Sequence, residues 1–219
     1  MNFANLRERM VERQIAGRGL REPRLLEAFR AVPRELFVPR ELERRAYEDC
    51  ALPIEAGQTI SQPYIVALTI DAAGIGPDDR VLEVGAGSGY AAAVMGRLAR
   101  AVIAVERIPE LARLADERIR SLGFDNVLVL QGDGSLGCPD QAPFDAILCA
   151  AAGPQVPEAW LEQLAPGGRI VMPVGALDGV QQLVRVTLGR DGRPRREELE
   201  PVRFVPLIGA QAYDEPDAS

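Results

Sequence analysis

The chain has 219 residues, of which 47% are hydrophobic and 26% are charged, a composition typical of a globular protein with a sizeable core. All 25 basic residues are arginine, because the sequence contains neither lysine nor histidine. These absences exclude a Ser-His-Asp triad, a histidine zinc site, a P-loop lysine and a lysine Schiff base within this chain.

Charge and cysteine usage narrow the expected partners and compartment. The formal net charge is -7, and no block of arginines stands clear of acidic neighbours, so nucleic acid is not an expected partner. Cys50, Cys138 and Cys149 are an odd number without metal-ligand spacing, which predicts free thiols and no metal site. The sequence shows no secretory signal and no run long enough to cross a bilayer. We therefore expect a cytoplasmic protein without a membrane partner.

The N-terminal part, residues 1–76, is predicted to form a helical cap followed by a substrate and active-site loop. Apolar residues recur at helical spacing up to about residue 50, with interruptions at prolines. Residues 49–63 have no sustained period and are predicted to be irregular. An apolar helix is expected from about Tyr64 to Ala73, ending at Gly74.

Residues 77–213 alternate between strand and helix patterns, and we assign them to one ligand-binding domain. Strands are predicted at 81–84, 102–106, 127–131, 144–148 and 169–174, and helices at 89–99, 109–121 and near 157–164. This alternation predicts an α/β, Rossmann-like, doubly wound and mostly parallel sheet. The segments 181–188 and 202–207 are expected to be antiparallel edge strands, and 214–219 a flexible tail.

A glycine turn joins the first strand of this domain to the next helix, in the sequence Glu83-Val84-Gly85-Ala86-Gly87-Ser88-Gly89-Tyr90. Backbone can approach a ligand closely at such a turn, where a helix N-terminus presents free N–H groups. Residues 87–92 match the dinucleotide pattern G-x-G-x-x-A, which alone permits NAD. The earlier start of the turn, E-x-G-x-G-x-G, resembles the first motif of class I S-adenosylmethionine-dependent methyltransferases. That resemblance implies cofactor contacts from Glu83, Gly85, Ala86, Gly87 and Ser88.

Three further carboxylates lie near predicted strand ends. The resemblance implies that Glu106 binds the ribose hydroxyls of S-adenosyl-L-methionine and that Asp133, with Gly134, lies beside the adenine. A solvated loop carboxylate is the alternative for both acidic residues. Asp145 begins the fourth strand, where capping of the strand edge and a functional role remain equally open.

The methyl acceptor is indicated by segments spread over nearly the whole chain. After the fourth strand, 149–154 lacks the N/D-P-P-Y/F motif of enzymes that methylate base amines. Segments 46–49, 57–63, 132–134, 142–147, 166–169 and 202–207 together resemble the protein-L-isoaspartate O-methyltransferase family, most specifically through T-I-S-Q-P and V-R-F-V-P-L. The resemblance implies methyl transfer from S-adenosyl-L-methionine to the free α-carboxylate of isoaspartyl residues in damaged proteins and peptides, which is protein repair.

The same resemblance assigns roles around the acceptor. Ser61 matches the active-site serine of the family, although its place just before an apolar helix also suits an N-cap. Thr59 and Ile60 are expected to shape the same loop. Val205 and Pro206 match a segment that pairs its main chain with an extended substrate, with an ordinary edge strand as the alternative.

Elementary chemistry agrees with a carboxylate acceptor. A carboxyl group with a pKa near 3.5 is already ionised at neutral pH and needs no base. The alternative functions are a small-molecule carboxyl methyltransferase, a cofactor-binding module without catalysis and, least favoured, an NAD oxidoreductase.

The sequence departs from the family at Glu55-Ala56, where a glycine and an aromatic residue or histidine are common, and we expect Glu55 to point to solvent.

Overall fold

The computed structural model describes residues 2–189 and 191–214, and it confirms the helical N-terminal cap. Helix α1 (Phe3–Met10) begins where the Asn2 side chain accepts a hydrogen bond from the Asn5 amide. Helix α2 (Pro23–Ala31) has proline at its first position and a Glu22 carboxylate that accepts from the Leu25 amide. Shorter helical turns fill the rest of the cap, at Val11–Ile15, Ala16–Arg18, Arg34–Phe37 and Arg40–Arg45.

The segment predicted to be irregular contains a small hairpin. Strands β1 (Leu52–Pro53) and β2 (Thr59–Ile60) pair antiparallel around a 3-10 turn at Glu55–Gly57. Two residues per strand are too few to show an alternating pattern, so the sequence could not reveal them. Helix α3 (Pro63–Ala73) follows, and it ends as predicted at Gly74, whose φ of 55° is left-handed.

The main sheet has seven strands, and five of them are parallel, as the alternating pattern predicts. The parallel strands are β3 (Arg80–Val84), β4 (Ala101–Glu106), β5 (Val127–Gln131), β6 (Phe144–Cys149) and β7 (Leu164–Val174). The helices between them are α4 (Tyr90–Gly96), α5 (Pro109–Ser121) and α6 (Glu158–Glu162). The strand order is β5-β4-β3-β6-β7-β8-β9. The chain therefore runs outward from β3 to one side and returns to β6 on the other, which creates a crevice at the carboxyl ends of β3 and β6.

The antiparallel edge is confirmed, but the second edge strand was predicted in the wrong place. Strand β8 (Gln181–Leu188) lies where expected, whereas β9 is Pro194–Val202 rather than 202–207. Most β9 side chains are exposed and polar, since this strand forms the outer edge. The predicted segment 202–207 is mostly apolar, yet beyond Val202 its one β-bridge among the described residues joins Pro206 to Ala152.

Strand β7 also begins five residues earlier than the predicted 169. It includes Ala165-Pro166-Gly167-Gly168, which the sequence indicates as a turn, and its pairing with β6 shifts register between Phe144 and Ala146. A β-bulge accommodates the proline and glycines that would otherwise end a strand.

The cap and the sheet share one hydrophobic core. Buried Met10 and Phe29 from the cap belong to the same cluster as Ala92 and Val102, while Trp160 lies in a second cluster on the opposite face of the sheet. The division of the chain at residue 76 remains a prediction, and of the tail predicted at 214–219 all but Asp214 lies outside the described residues. Within the described ranges, no helix has the length and apolarity needed to span a membrane.

Candidate active site

A cavity of about 990 Å³ opens at the carboxyl ends of β3 and β4. Its size is suited to a cofactor together with part of a second substrate. Eight of the predicted site residues lie in its wall: Thr59, Ser61, Gly85, Gly87, Glu106, Gly134, Val205 and Pro206. A smaller adjoining cavity of about 70 Å³ is lined by four more: Ile60, Glu83, Ala86 and Ser88. The structure therefore brings together the predicted acceptor loop, residues 59–61, and the glycine turn predicted to bind the cofactor, residues 83–90.

The glycine turn after β3 depends on backbone conformations that favour glycine. Gly85, Gly87 and Gly89 have φ values of 84°, 53° and 88°. At Gly89 a Cβ atom would also lie 3.2 Å from the Cβ of Ala115 in α5. The turn therefore packs closely against α5, and its residues Gly85 and Gly87 line the cavity.

Glu106, at the end of β4, fixes this turn and retains acceptor capacity. Its Oε2 accepts from the Gly87 amide at 2.8 Å, and its Oε1 accepts from the Ile108 amide at 2.9 Å. A carboxylate has about four lone-pair positions, so about two remain for hydroxyl groups of a ligand. This arrangement fits the predicted contact with a ribose.

Glu83 lies inside β3 with only 2% of its surface exposed. Its Oε2 atom is buried and has no hydrogen-bond partner among the described residues. Burial, and secondarily the charge of Glu106, raise the pKa of Glu83 well above its usual value. The buried Glu83 carboxyl is therefore harder to ionise than a carboxyl group in water.

Two carboxylates predicted near strand ends differ in their surroundings. Asp133 lines neither cavity: Oδ1 accepts from the Ser135 amide at 2.9 Å, and Oδ2 accepts from the Ala210 amide at 2.8 Å. Burial would raise the pKa of Asp133, but the bonds from Ala210 and Ser135 outweigh it and lower the pKa. Its contact with adenine stays a prediction. Asp145 accepts from the Arg80 amide at 2.8 Å, which is the strand-capping role.

Ser61 faces both cavities just before α3. The N-cap of α3 is Gln62, and no side chain caps that helix end. The Ser61 hydroxyl is therefore not engaged as an N-cap. Its carbonyl accepts a 2.7 Å hydrogen bond from Arg34 Nη2, which fixes the main chain at this point.

The segment carrying Val205 and Pro206 lies beside the end of β6. The Val205 carbonyl accepts from the Ala152 amide, and the Ala152 carbonyl accepts from the Leu207 amide, both at 2.8 Å. Within the described residues, the Val205 amide and the Pro206 carbonyl make no backbone hydrogen bond. They are consequently available to an extended chain.

Glu55 does not point to solvent as expected. Its Oε1 accepts from Arg118 Nη2 at 2.8 Å, while Arg118 Nη1 donates to the Ser88 carbonyl at 3.3 Å. Ala56, the next residue, has a left-handed φ of 54°. The departure from the family pattern therefore ties the hairpin turn to α5 and to the glycine turn.

Several cavity residues escaped the sequence analysis. Gln58 and Gln62 lie in segment 57–63, and Arg203 and Phe204 lie in segment 202–207, but the resemblance assigned them no role. Ile108 and Leu111 have no distinguishing pattern. The missed wall residues include Gln58, Gln62, Ile108, Leu111, Arg203 and Phe204.

Comparison with known proteins agrees with this geometry. The family profile "Protein-L-isoaspartate(D-aspartate) O-methyltransferase (PCMT)" matches residues 5–212. Protein-L-isoaspartate O-methyltransferase 2 of Pelobacter propionicus is 53% identical over 207 residues, covering 94% of this chain and 92% of its own. The Rhodopseudomonas palustris protein-L-isoaspartate O-methyltransferase is 53% identical over 208 residues, covering 95% of each chain.

Solved structures give the same result. A protein-L-isoaspartate O-methyltransferase superimposes with a TM-score of 0.84 at 30% identity, over 94% of this chain and 67% of the other. A Plasmodium falciparum protein described under the same family name, in complex with S-adenosyl-L-homocysteine, gives a TM-score of 0.80 at 25% identity, covering 92% and 98%. The chain therefore belongs to the protein-L-isoaspartate O-methyltransferase family.

Proposed function

We propose that this protein transfers a methyl group from S-adenosyl-L-methionine to the free α-carboxylate of L-isoaspartyl residues in damaged proteins and peptides. The observation that carries the proposal is one cavity that has the glycine turn in one wall and Ser61 in another, in a chain that belongs to this family over residues 5–212. The function is protein repair, because the resulting ester closes to a succinimide that partly reopens to normal aspartate.

The residues on the cofactor side fit S-adenosyl-L-methionine. When bound, this cofactor supplies an electrophilic methyl group on a positively charged sulfur. The glycine turn lines the cavity at Gly85 and Gly87, Glu106 retains lone pairs for vicinal hydroxyls, and the buried Glu83 Oε2 has no partner among the described residues. Gly134, which lines the cavity, packs so closely on β3 that a Cβ there would lie 2.5 Å from a Val84 methyl group.

The acceptor side needs orientation rather than proton removal. An isoaspartyl α-carboxylate is ionised at neutral pH, so the absence of histidine and lysine does not impair the reaction. The Ser61 hydroxyl donates a hydrogen bond to the acceptor carboxylate and fixes which oxygen faces the methyl group. Orientation of this kind lowers barriers by up to about 7–11 kcal/mol. The reaction also neutralises two charges, which a site that excludes water favours.

The substrate backbone is recognised beside the acceptor loop. The free Val205 amide and Pro206 carbonyl pair with an extended peptide as an added strand would. Thr59 and Ile60 shape the wall against which the isoaspartyl residue lies. Main-chain pairing of this kind suits a substrate defined by a backbone defect rather than by its sequence.

A matched pair of peptides tests the function. The purified protein, S-adenosyl-L-methionine and a peptide with one isoaspartyl residue are expected to yield methyl ester and S-adenosylhomocysteine. The same peptide with ordinary aspartate is the control and should yield neither. Methylation of neither peptide, with activity on small carboxylic acids, would refute the proposal in favour of a small-molecule enzyme.

Three further assignments accompany this proposal. Asp133 is proposed as a cofactor contact, and calorimetry should show weaker S-adenosyl-L-methionine binding in Asp133→Ala; unchanged affinity would remove it from the site.

We also propose a cytoplasmic protein, supported by three unpaired thiols, at Cys50, Cys138 and Cys149. The net charge of -7 supports protein clients rather than nucleic acid.

A further inference from the structure

Arg34 is a buried cation directly behind the acceptor loop. It begins the 3-10 turn Arg34–Phe37 and has 0% of its surface exposed. Its Nε donates to the Ala46 carbonyl and its Nη2 to the Ser61 carbonyl, both at 2.7 Å. Its Nη1 has no hydrogen-bond partner among the described residues. The guanidinium carbon lies 4.8 Å from the centre of the Tyr90 ring.

No carboxylate of the described residues forms an ion pair with Arg34. The adjacent Glu35 is already engaged, since it pairs with Arg7 at 3.2 Å and accepts from the Tyr47 hydroxyl. Burial lowers the pKa of Arg34, the direction expected for a cation far from water. Carbonyl bonds and a ring face compensate only part of the desolvation of an arginine.

Two other arginines show what a purely structural role looks like in this fold. Arg169 also donates to main-chain carbonyls, but it carries the Asp79 carboxylate as a counter-ion. Arg24 donates to the Ile75 and Leu98 carbonyls, but it remains exposed to solvent. Arg34 has no solvent exposure and, among the described residues, no carboxylate partner, so no described anion neutralises its charge.

The position of Arg34 indicates what that charge serves. Its Nη2 donates to the carbonyl of Ser61, a residue of the cavity wall, so the cation lies one residue behind that wall. A charge in the protein interior is screened far less than one at the surface. Arg203 also lines the cavity, but its side chain is exposed.

We propose that Arg34 is the positioning residue for the acceptor carboxylate: it holds the Ser61 main chain at the cavity wall, and its unneutralised charge selects an anionic acceptor over a neutral one. The inference rests on the proposed function, because it assumes an isoaspartyl carboxylate in this cavity. It adds an electrostatic basis for rejecting amides and esters, including the methyl ester product.

The test compares the binding of two ligands that differ only in charge. One is an isoaspartyl peptide, and the other is the same peptide with its α-carboxylate converted to a carboxamide. The dissociation constant of each is measured with the enzyme saturated with S-adenosylhomocysteine, so that no reaction occurs. Wild type is expected to prefer the carboxylate, and Arg34→Met should reduce that preference about tenfold or more.

Control variants separate charge from structure. Arg34→Lys should retain most of the preference, whereas Arg34→Gln, which keeps donors without charge, should lose it. Arg24→Met removes an arginine that binds two carbonyls away from the cavity and should leave the ratio unchanged. Arg113→Met removes an exposed arginine of α5 that lines neither cavity and should also leave the ratio unchanged.

Each outcome decides the inference. An unchanged ratio in folded Arg34→Met or Arg34→Gln, checked by normal S-adenosylhomocysteine affinity, overturns it, as does an equal loss of the preference in Arg24→Met. If Arg34→Met does not fold, the contrast between the lysine and glutamine variants decides. Wild type that fails to methylate the isoaspartyl peptide refutes the proposed function itself, whereas methylation combined with an unchanged ratio refutes only the role of Arg34.

Discussion

At the scale of single residues, substitution of Ser61 distinguishes a catalytic role from a stabilising one. Because Gln62 is the N-cap of α3, removal of the Ser61 hydroxyl should not weaken the helix. A hydrogen bond to a charged group contributes about 1.5–3 kcal/mol, so Ser61→Ala should lower kcat for an isoaspartyl peptide by about ten- to a hundred-fold. Steady-state kinetics, with calorimetry of S-adenosylhomocysteine binding, checks both expectations.

The control for this variant is Ser121→Ala, which removes a hydroxyl that donates to a carbonyl at the end of α5, outside the cavity wall. It should retain wild-type kcat. Early thermal unfolding of Ser61→Ala together with lost cofactor binding would instead assign the serine to helix capping.

Glu83 gives a prediction about pH. Its pKa is higher in the folded protein than in the unfolded chain, so folding binds a proton. The stabilisation from this group is complete below the unfolded pKa and is lost as pH rises through the folded pKa, with a slope of up to about 1.4 kcal/mol per pH unit. Glu83→Gln should therefore become more stable relative to wild type as pH rises above about 5.

Urea unfolding of both proteins without cofactor, between pH 5 and pH 8, measures this difference. Glu117→Gln alters an exposed carboxylate on α5 and should follow wild type. A constant difference between Glu83→Gln and wild type across that range would show that Glu83 is ionised in the folded protein.

At the scale of elements, the Glu55–Arg118 pair joins three segments of the site. The hairpin turn Glu55–Gly57 contributes the carboxylate, α5 contributes the guanidinium, and the glycine turn contributes the Ser88 carbonyl. The two side chains are 26% and 15% exposed, so solvent screens them only in part. We expect a coupling energy of about 1 kcal/mol, at the upper end for partly exposed pairs.

A double-mutant cycle measures this coupling. Glu55→Ala and Arg118→Ala should each weaken S-adenosylhomocysteine binding, and the double variant should be no worse than the poorer single variant. The Arg113–Glu117 pair on α5, with 60% and 58% exposure, is the matched control and should show little coupling. Additive effects of the Glu55 and Arg118 variants would contradict a link between the acceptor loop and the cofactor turn.

The sequence predicted those elements whose residues carry a local signal. Buried parallel strands contain runs of apolar residues, and the turn from Gly85 to Gly89 requires glycine, so both features can be recognised in the sequence. Strand β9 was misplaced because an exposed edge strand has polar residues on both faces. The roles of Arg34 and Glu55 depend on contacts distant in sequence, and in a chain whose 25 basic residues are all arginine, no single arginine stands out.

At the scale of the whole molecule, the cap and the sheet depend on one another. Helix α3 packs on β6 and β7, and α2 packs on α4, so cap residues cover one face of the sheet. Trp160, the single tryptophan, lies on the other face, where its indole N–H donates to the Gly134 carbonyl at 2.9 Å. Separation of the cap from the sheet would expose a large apolar surface to water, at a free-energy cost proportional to its area.

We therefore expect residues 2–214 to unfold in a single cooperative transition, although the sequence divides them at residue 76. Fluorescence of Trp160 reports on the sheet, and far-ultraviolet circular dichroism reports mainly on the helices, of which the cap holds a large share; the two urea midpoints should coincide. S-adenosylhomocysteine at 100 times its dissociation constant should add about 2.7 kcal/mol and shift both midpoints equally, because the cavity takes its walls from both parts. A loss of helical signal that precedes the Trp160 transition, or a ligand shift confined to one probe, would mean that the cap unfolds independently and that the acceptor loop can detach from the cofactor site.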